Sequence, residues 1–114
     1  MGSPMKIRTK LEGDVVQVRV LMSHPMETGQ RKTPEGELIP QHFIQLINAS
    51  YKERTVLSAQ WGPAISRNPY LSFKFRGAAN GEKIRIAWMD SKGDTRTDEA
   101  TIGDPNTAPV KEGN

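Results

Sequence analysis

The amino-acid sequence predicts an all-β protein, folded as one antiparallel β-sandwich of about seven strands. Three observations carry this prediction. Apolar and polar residues alternate with a period of two through most of the chain, and no stretch repeats with a helical period over two turns. Clusters of Gly, Asn and Asp separate the alternating runs at intervals of roughly ten residues. The length of 114 residues suits a single domain with its own core.

The individual strands follow from the alternation and from the turns between them. The first is predicted at 6–11 and the second at 15–22, joined by the turn Glu12-Gly13-Asp14. The alternation is cleanest in 71–76, where Leu71, Phe73 and Phe75 share one face. The remaining strands are predicted at 43–47, 55–61, 83–88 and 95–102. Short strands at this spacing are typical of immunoglobulin-like or fibronectin-like sandwiches, with Trp61 and Trp88 as candidate core aromatics.

The two ends of the chain are predicted to lie outside this domain. Residues 1–4 precede a second methionine and resemble an expression scar, so the domain is placed at 5–102. Residues 103–114 have no periodicity and no aromatic side chain, which predicts a disordered tail.

Charge and hydropathy argue against nucleic acid and membranes as partners. The chain has 16 Lys and Arg against 13 Asp and Glu, and the two signs are interspersed along the sequence. Arg31-Lys32 is an isolated cationic pair, whereas a nucleic-acid binder more often concentrates its cations. No apolar run approaches the ~20 residues that span a bilayer. We therefore predict no nucleic-acid partner and no membrane partner.

The inventory of catalytic side chains is short. The chain has no cysteine, which excludes disulfides, thiolate metal ligands and a thiol nucleophile. It has two histidines and no Gly-x-Ser-x-Gly or Ser-x-x-Lys motif. The carboxylates near the last hairpin are predicted to form a solvated acidic edge: Asp90, Asp94, Asp98 and Glu99. We therefore predict no catalytic residue, no enzyme activity and no cofactor.

Two segments interrupt the rhythm of the strands and are the predicted functional surface. Residues 23–41 and 62–70 both contain proline, and both are longer than a hairpin requires. Long loops on a rigid β scaffold are where binding surfaces usually lie. The residues predicted to contact a partner are His24, Pro25, Met26, Arg31, Lys32, Pro63, Asn68 and Tyr70.

A metal site is the alternative that the histidines leave open. His24-Pro25-Met26, followed later by His42, resembles a stretched version of a motif in desulfoferrodoxin-type superoxide reductases. Members of that family resemble immunoglobulin domains and hold iron with four histidines and one cysteine thiolate. Two histidines without a cysteine do not supply that ligand set, so no metal site is predicted. A metal-binding sandwich of this kind and a generic protein-binding module remain the two alternative functions.

Three segments together resemble the SoxZ family, over about Val15 to Trp88. These segments are HPMETGQR at 24–31, GELIP at 36–40 and PAISRNPYL at 63–71. The resemblance implies a non-catalytic, immunoglobulin-like subunit that forms a heterodimer with SoxY in thiosulfate oxidation. SoxY carries sulphur intermediates covalently on a C-terminal cysteine arm, which haem, hydrolase and dehydrogenase enzymes of the pathway visit transiently. The resemblance also implies a periplasmic location, reached by export with the partner and without a signal peptide of its own.

Overall fold

A computed structural model describes residues 4–103. These residues form seven β-strands: β1 (Lys6–Glu12), β2 (Val15–Leu21), β3 (Ile44–Tyr51), β4 (Arg54–Gln60), β5 (Tyr70–Arg76), β6 (Lys83–Asp90) and β7 (Thr95–Thr101). The prediction of an all-β chain with about seven strands is confirmed. The described residues contain no helix long and apolar enough to cross a membrane. The predicted scar and tail fall, except for Pro4 and Gly103, outside the described residues.

The strands form two antiparallel sheets that enclose one core. One sheet has the order β1-β2-β5, and the other has the order β4-β3-β6-β7. The alternation seen in the sequence positions the core, because alternate residues of a strand face the opposite sheet. Val16, Val18 and Val20 of β2 are fully buried, and Ile84 and Ile86 of β6, in the second sheet, belong to the same buried cluster. The central strands therefore contribute most of the fully buried side chains.

Strand β3 extends past its predicted end. The sequence predicts a strand at 43–47, but β3 continues to Tyr51. The reversal is made by Lys52 and Glu53, whose φ angles of 49° and 62° lie in the left-handed region. Gly and Asn are the usual residues at such positions, so the turn had no compositional signal.

Both long loops and the last hairpin lie at one end of the sandwich. Strands β2, β4 and β6 all finish there, and the chain crosses from one sheet to the other after β2 and again after β4. Backbone hydrogen bonds join the three connections: Met22 donates to the carbonyl of Pro69 at 2.9 Å, and Ser91 donates to that of Phe43 at 2.8 Å. The fold thus brings together segments that are up to about 70 residues apart in sequence.

The opposite end of the sandwich contains a pH-sensitive carboxylate, Glu82. Its side chain accepts hydrogen bonds from the Tyr51 hydroxyl and, at 2.8 Å, from the backbone N–H of Ala79. The ammonium of Lys52 lies 2.6 Å from the same carboxylate. Lys52, Tyr51 and Ala79 together lower the pKa of Glu82 from 4.5 to about 2. The charged form is therefore the one that the fold favours.

Replacing Glu82 with Gln is expected to reduce the acid sensitivity of the fold. A carboxyl whose pKa is lower when folded contributes stability above its unfolded pKa and loses that contribution as pH falls through its folded pKa. The difference in urea midpoint between wild type and Glu82→Gln should therefore shrink as pH falls from 4.5 to about 2. Glu53→Gln, at an exposed turn position, is the control and should retain the wild-type pH dependence. A constant difference for Glu82→Gln across this range would contradict the prediction.

Candidate functional site

The two long loops are joined by a pair of hydrogen bonds between His24 and Asn68. The backbone N–H of His24 donates to Oδ1 of Asn68 at 3.0 Å. The N–H of Asn68 donates in return to the carbonyl oxygen of His24 at 2.9 Å. Asn68 has a φ of 52°, a left-handed conformation that Asn adopts more readily than most residues. The pairing makes one continuous surface of the two loops.

The His24 imidazole is buried and both of its nitrogens are engaged. Its Nδ1 accepts a hydrogen bond from the backbone N–H of Met26 at 3.1 Å. Its Nε2 lies 3.0 Å from Oδ2 of Asp90, and the side chain is 3% exposed. Because Nδ1 is an acceptor here, the ring proton of the neutral form is assigned to Nε2, which donates it to the carboxylate.

Asp90 is the centre of the site, and its carboxylate accepts four hydrogen bonds. Oδ2 accepts from His24 and also from Nε2 of His42, which lies 2.6 Å away. Oδ1 accepts from the backbone N–H groups of Lys92 and Asp94, at 3.0 and 2.9 Å. The expectation of a solvated acidic edge is therefore wrong for Asp90, which is 2% exposed.

The buried position of Asp90 follows from the period of β6. Ile84, Ile86 and Trp88 face the core, and the next residue on that face is Asp90. Continuing the alternation by one step would have found it. The predicted strand ends at Trp88, and Asp90 is expected in a solvated hairpin because aspartate is rarely buried.

Hydrogen bonding keeps the Asp90 carboxylate ionised in spite of its burial. Burial acts to raise the pKa of Asp90, but hydrogen bonds from His24, His42 and the two backbone N–H groups outweigh it and lower the pKa. The protein itself thus supplies four hydrogen bonds to the charged form. A buried carboxylate of this kind locks two loops and a hairpin into one arrangement.

His42 is the member of the cluster that reaches solvent. Its side chain is 25% exposed, and it borders a shallow cavity of about 280 Å³ together with Pro25, Arg67 and Asn68. Its backbone pairs with Glu27, with N···O distances of 2.6 and 3.0 Å. This pairing closes the first long loop at its base.

Three aromatic rings pack against one another in the cluster. The centroid of the His24 ring lies 4.5 Å from that of His42 and 5.2 Å from that of Trp88, both in edge-on geometry. The indole nitrogen of Trp88 is buried and has no hydrogen-bond partner within residues 4–103. Trp88 therefore acts as an apolar wall behind His24.

The predicted contact residues fall into three groups by burial. His24 and Met26 are buried and shape the loop from inside; Met26 Sδ accepts the N–H of Ile44 at 3.3 Å. Pro63 is half-buried, and the exposed members are Pro25, Arg31, Lys32, Asn68 and Tyr70. The Arg31 guanidinium forms an ion pair with Glu27 and lowers the pKa of that carboxyl. The fold therefore places these exposed residues on or beside the joined loops.

The donor atoms of the cluster lie close enough together to bind a metal ion, but the protonation of His24 does not fit a metal ligand. One donor atom from each of His24, His42 and Asp90 lies within 4.8 Å of the others. To bind a metal, Nε2 of His24 would have to lose its proton, and the neutral ring would then carry a proton on Nδ1. That proton would face the N–H of Met26, which donates to Nδ1. The arrangement fits a hydrogen-bonded cluster and does not fit the iron of the superoxide reductases.

A family comparison agrees with the three segments noted in the sequence. The model of the family described as "Sulphur oxidation protein SoxZ" matches residues 5–101, which is nearly the whole domain. No curated protein sequence matches the chain.

Solved structures resemble the chain in fold. A superoxide reductase from Nanoarchaeum equitans aligns with a TM-score of 0.61 at 11% identity, covering 86% of this chain and 90% of that one. A superoxide reductase (neelaredoxin) from Ignicoccus hospitalis aligns with a TM-score of 0.62 at 16% identity, covering 89% and 80%. The hypothetical protein PH1083 from Pyrococcus horikoshii aligns with a TM-score of 0.55 at 20% identity, covering 86% of each. At these identities the likeness shows a shared sandwich fold.

Proposed function

Since the chain belongs to the SoxZ family of sulphur oxidation proteins, we propose that it is the non-catalytic subunit of a heterodimeric sulphur carrier. Its partner is a SoxY-type subunit, whose C-terminal cysteine arm holds the sulphur intermediates covalently. The heterodimer acts in the periplasm, where haem, hydrolase and dehydrogenase enzymes of the pathway visit it in turn.

The observation that carries this proposal is the state of the His24–Asp90–His42 cluster. Both nitrogens of His24 and both oxygens of Asp90 are engaged within the protein. The chain has no cysteine, so covalent carriage of sulphur requires a thiol from another chain. The cluster holds the two loops in a fixed shape, which is what a binding surface requires. These features support a subunit that binds and leaves the chemistry to its partner.

The exposed loop residues supply the contacts in this proposal. Pro25 and the cations Arg31 and Lys32 are exposed on a backbone that is already ordered by internal hydrogen bonds. A preordered surface loses little conformational entropy on binding. Assembly through these loops is therefore expected to be tight.

Co-expression with the SoxY-type subunit of the source organism tests the proposal. The two chains should elute together from a gel-filtration column at micromolar concentration. The double substitution Arg31→Ala with Lys32→Ala should weaken the affinity about tenfold, equivalent to ~1.4 kcal/mol. Lys83→Ala, at the opposite end of β6, is the matched control and should bind like wild type. Separate elution of the wild-type chains would refute the proposal.

A further inference from the structure

The outer face of the three-stranded sheet gathers cations that are dispersed in the sequence. Outward positions alternate along β1, β2 and β5, which places twelve side chains on this face. Six of them are Lys or Arg, and Glu12 is the one carboxylate among them. We call this surface the cationic face; its cations are Lys6, Arg8, Lys10, Arg19, Lys74 and Arg76.

The register of the strands brings like charges together in the middle of the cationic face. Arg8 lies directly opposite Arg19, an arrangement that costs stability in a sheet. In the neighbouring row, Lys10 and Lys74 stand on either side of Gln17. These like charges destabilise the sheet, whereas opposite charges at the paired positions would not.

Acidic partners are present at one edge of the cationic face. Lys10 lies 3.7 Å from Glu12, and Arg76 lies 3.5 Å from Asp14. In the part of the chain that the structure describes, no ion pair involves the other four cations, Lys6, Arg8, Arg19 and Lys74. Within residues 4–103, the middle of the face and its end near the loops therefore carry cations that form no ion pair.

The excess of positive charge in the chain lies on the cationic face. On the outer face of the other sheet, Arg85 of β6 bonds the Glu99 carboxylate of β7 at 3.0 Å. Removing the six cations and one carboxylate of the cationic face from the chain's 16 and 13 leaves ten cations against twelve anions. The rest of the chain therefore has nearly equal numbers of cations and anions. Cations and anions are interspersed along the sequence, but in the folded protein the excess cations share one face.

An apolar pair lies at the end of the cationic face nearest the loops. Leu21 and Tyr70 are direct cross-strand neighbours there, and they are 42% and 59% exposed. Exposed apolar side chains beside a charged surface are typical of protein interfaces, in which an aromatic residue anchors and the charges orient. A single-stranded nucleic acid would instead need several aromatic side chains for stacking, and Tyr70 is the one exposed aromatic on this face.

We propose that the cationic face, with Leu21 and Tyr70 at its end, is a docking surface for acidic protein surfaces. This inference rests on the proposed function, because it assigns the face to the enzymes that visit the carrier. Association that is driven by charge is fast and readily reversed, as a carrier with successive partners requires. Each visiting enzyme is then expected to present an acidic patch beside its active-site entrance.

The proposed docking surface is tested by the rates at which the pathway enzymes associate with the assembled carrier. The chain, assembled with its SoxY-type subunit, is immobilised, and the purified haem, hydrolase and dehydrogenase enzymes are passed over it at low and high salt. Arg19→Glu should lower the association rate constant about fivefold or more at low salt, and the effect should shrink as salt screens the charges. Because Arg19→Glu faces Arg8, it forms a favourable pair and should preserve the fold. Tyr70→Ser should mainly raise the dissociation rate.

Lys83→Glu makes the same change in net charge outside the cationic face and is the matched control. Equal effects of Lys83→Glu and Arg19→Glu would overturn the inference, as would unchanged rates for all three enzymes. Loss of SoxY-type subunit binding by Arg19→Glu would also overturn it, since the face would then belong to the heterodimer interface. Capture of oligothymidylate or phosphatidylglycerol vesicles at about 150 mM salt, abolished by Arg19→Glu, would reassign the face to a polyanion.

The proposed function fails separately, if the wild-type chain does not assemble with the SoxY-type subunit at all. In that case the same enzymes are passed over the chain alone. Enzyme binding that depends on Arg19 would support the proposed docking surface. No enzyme binding would refute it.

Discussion

Asp90→Asn is expected to lower the free energy of unfolding by about 3 kcal/mol. The amide is isosteric with the carboxylate but has one acceptor where Asp90 has two. In one orientation its NH₂ group faces the backbone N–H groups of Lys92 and Asp94. In the other orientation the NH₂ group faces the two imidazoles. Nε2 of His24 cannot accept a hydrogen bond from it, because Nδ1 accepts the N–H of Met26 and the ring proton is therefore on Nε2. Either orientation leaves buried donors facing each other.

Urea unfolding followed by tryptophan fluorescence measures this effect, and thermal unfolding should show a fall in Tm of about 15 °C. Asp14→Asn makes the same substitution at an exposed turn, where the ion pair with Arg76 is solvated. It should change the stability by less than about 0.5 kcal/mol. Similar losses of unfolding free energy in the two variants would contradict the role of the Asp90 carboxylate as a buried acceptor of four hydrogen bonds.

His24→Ala is expected to destabilise the fold by about 3 kcal/mol, and His42→Ala by about 1 kcal/mol. Truncation at His24 leaves the N–H of Met26 and one lone pair of Asp90 unsatisfied, and it opens a cavity against Trp88. His42 lies at the cavity and is one-quarter exposed, so water can replace its hydrogen bond to Asp90. The two histidines share one oxygen atom but differ in burial.

A double-mutant cycle with Asp90→Asn refines this comparison. The losses from His24→Ala and Asp90→Asn should not add, because each removes part of the same network. Hydrogen exchange at Met26 supplies a local readout, since its N–H loses its acceptor only when His24 is truncated. Equal destabilisation by His24→Ala and His42→Ala, or simple additivity with Asp90→Asn, would contradict the assignment of His24 as the buried partner.

Local patterns along the chain were sufficient to predict the fold class and the approximate positions of the strands. Alternation of apolar residues in 15–22 and 83–88 predicted two central strands, and turns rich in glycine or asparagine marked most boundaries. The end of β3 was missed because Lys52 and Glu53 make a left-handed turn without a turn-forming residue type. Such a turn depends on the pairing of β3 with β4 more than on intrinsic preference.

The candidate site was predicted in part, for a similar reason. His24 and Asn68 were among the residues predicted to contact a partner, and the structure joins them to each other by hydrogen bonds. Asp90 was not, because its role depends on His24 and His42, which lie 66 and 48 residues away in sequence. No local pattern reports a hydrogen bond formed over that separation.

The distribution of charge shows the same division between local and long-range information. The sequence by itself determines the numbers of cations and anions, the absence of cysteine and the period of each strand. The cationic face exists because the register pairs Arg8 with Arg19 and aligns β1, β2 and β5 in one sheet. Alternation sends every second residue outward, but the pairing of strands decides which outward residues become neighbours. Strand pairing depends on the whole chain, so the cationic face forms only when the sheets assemble.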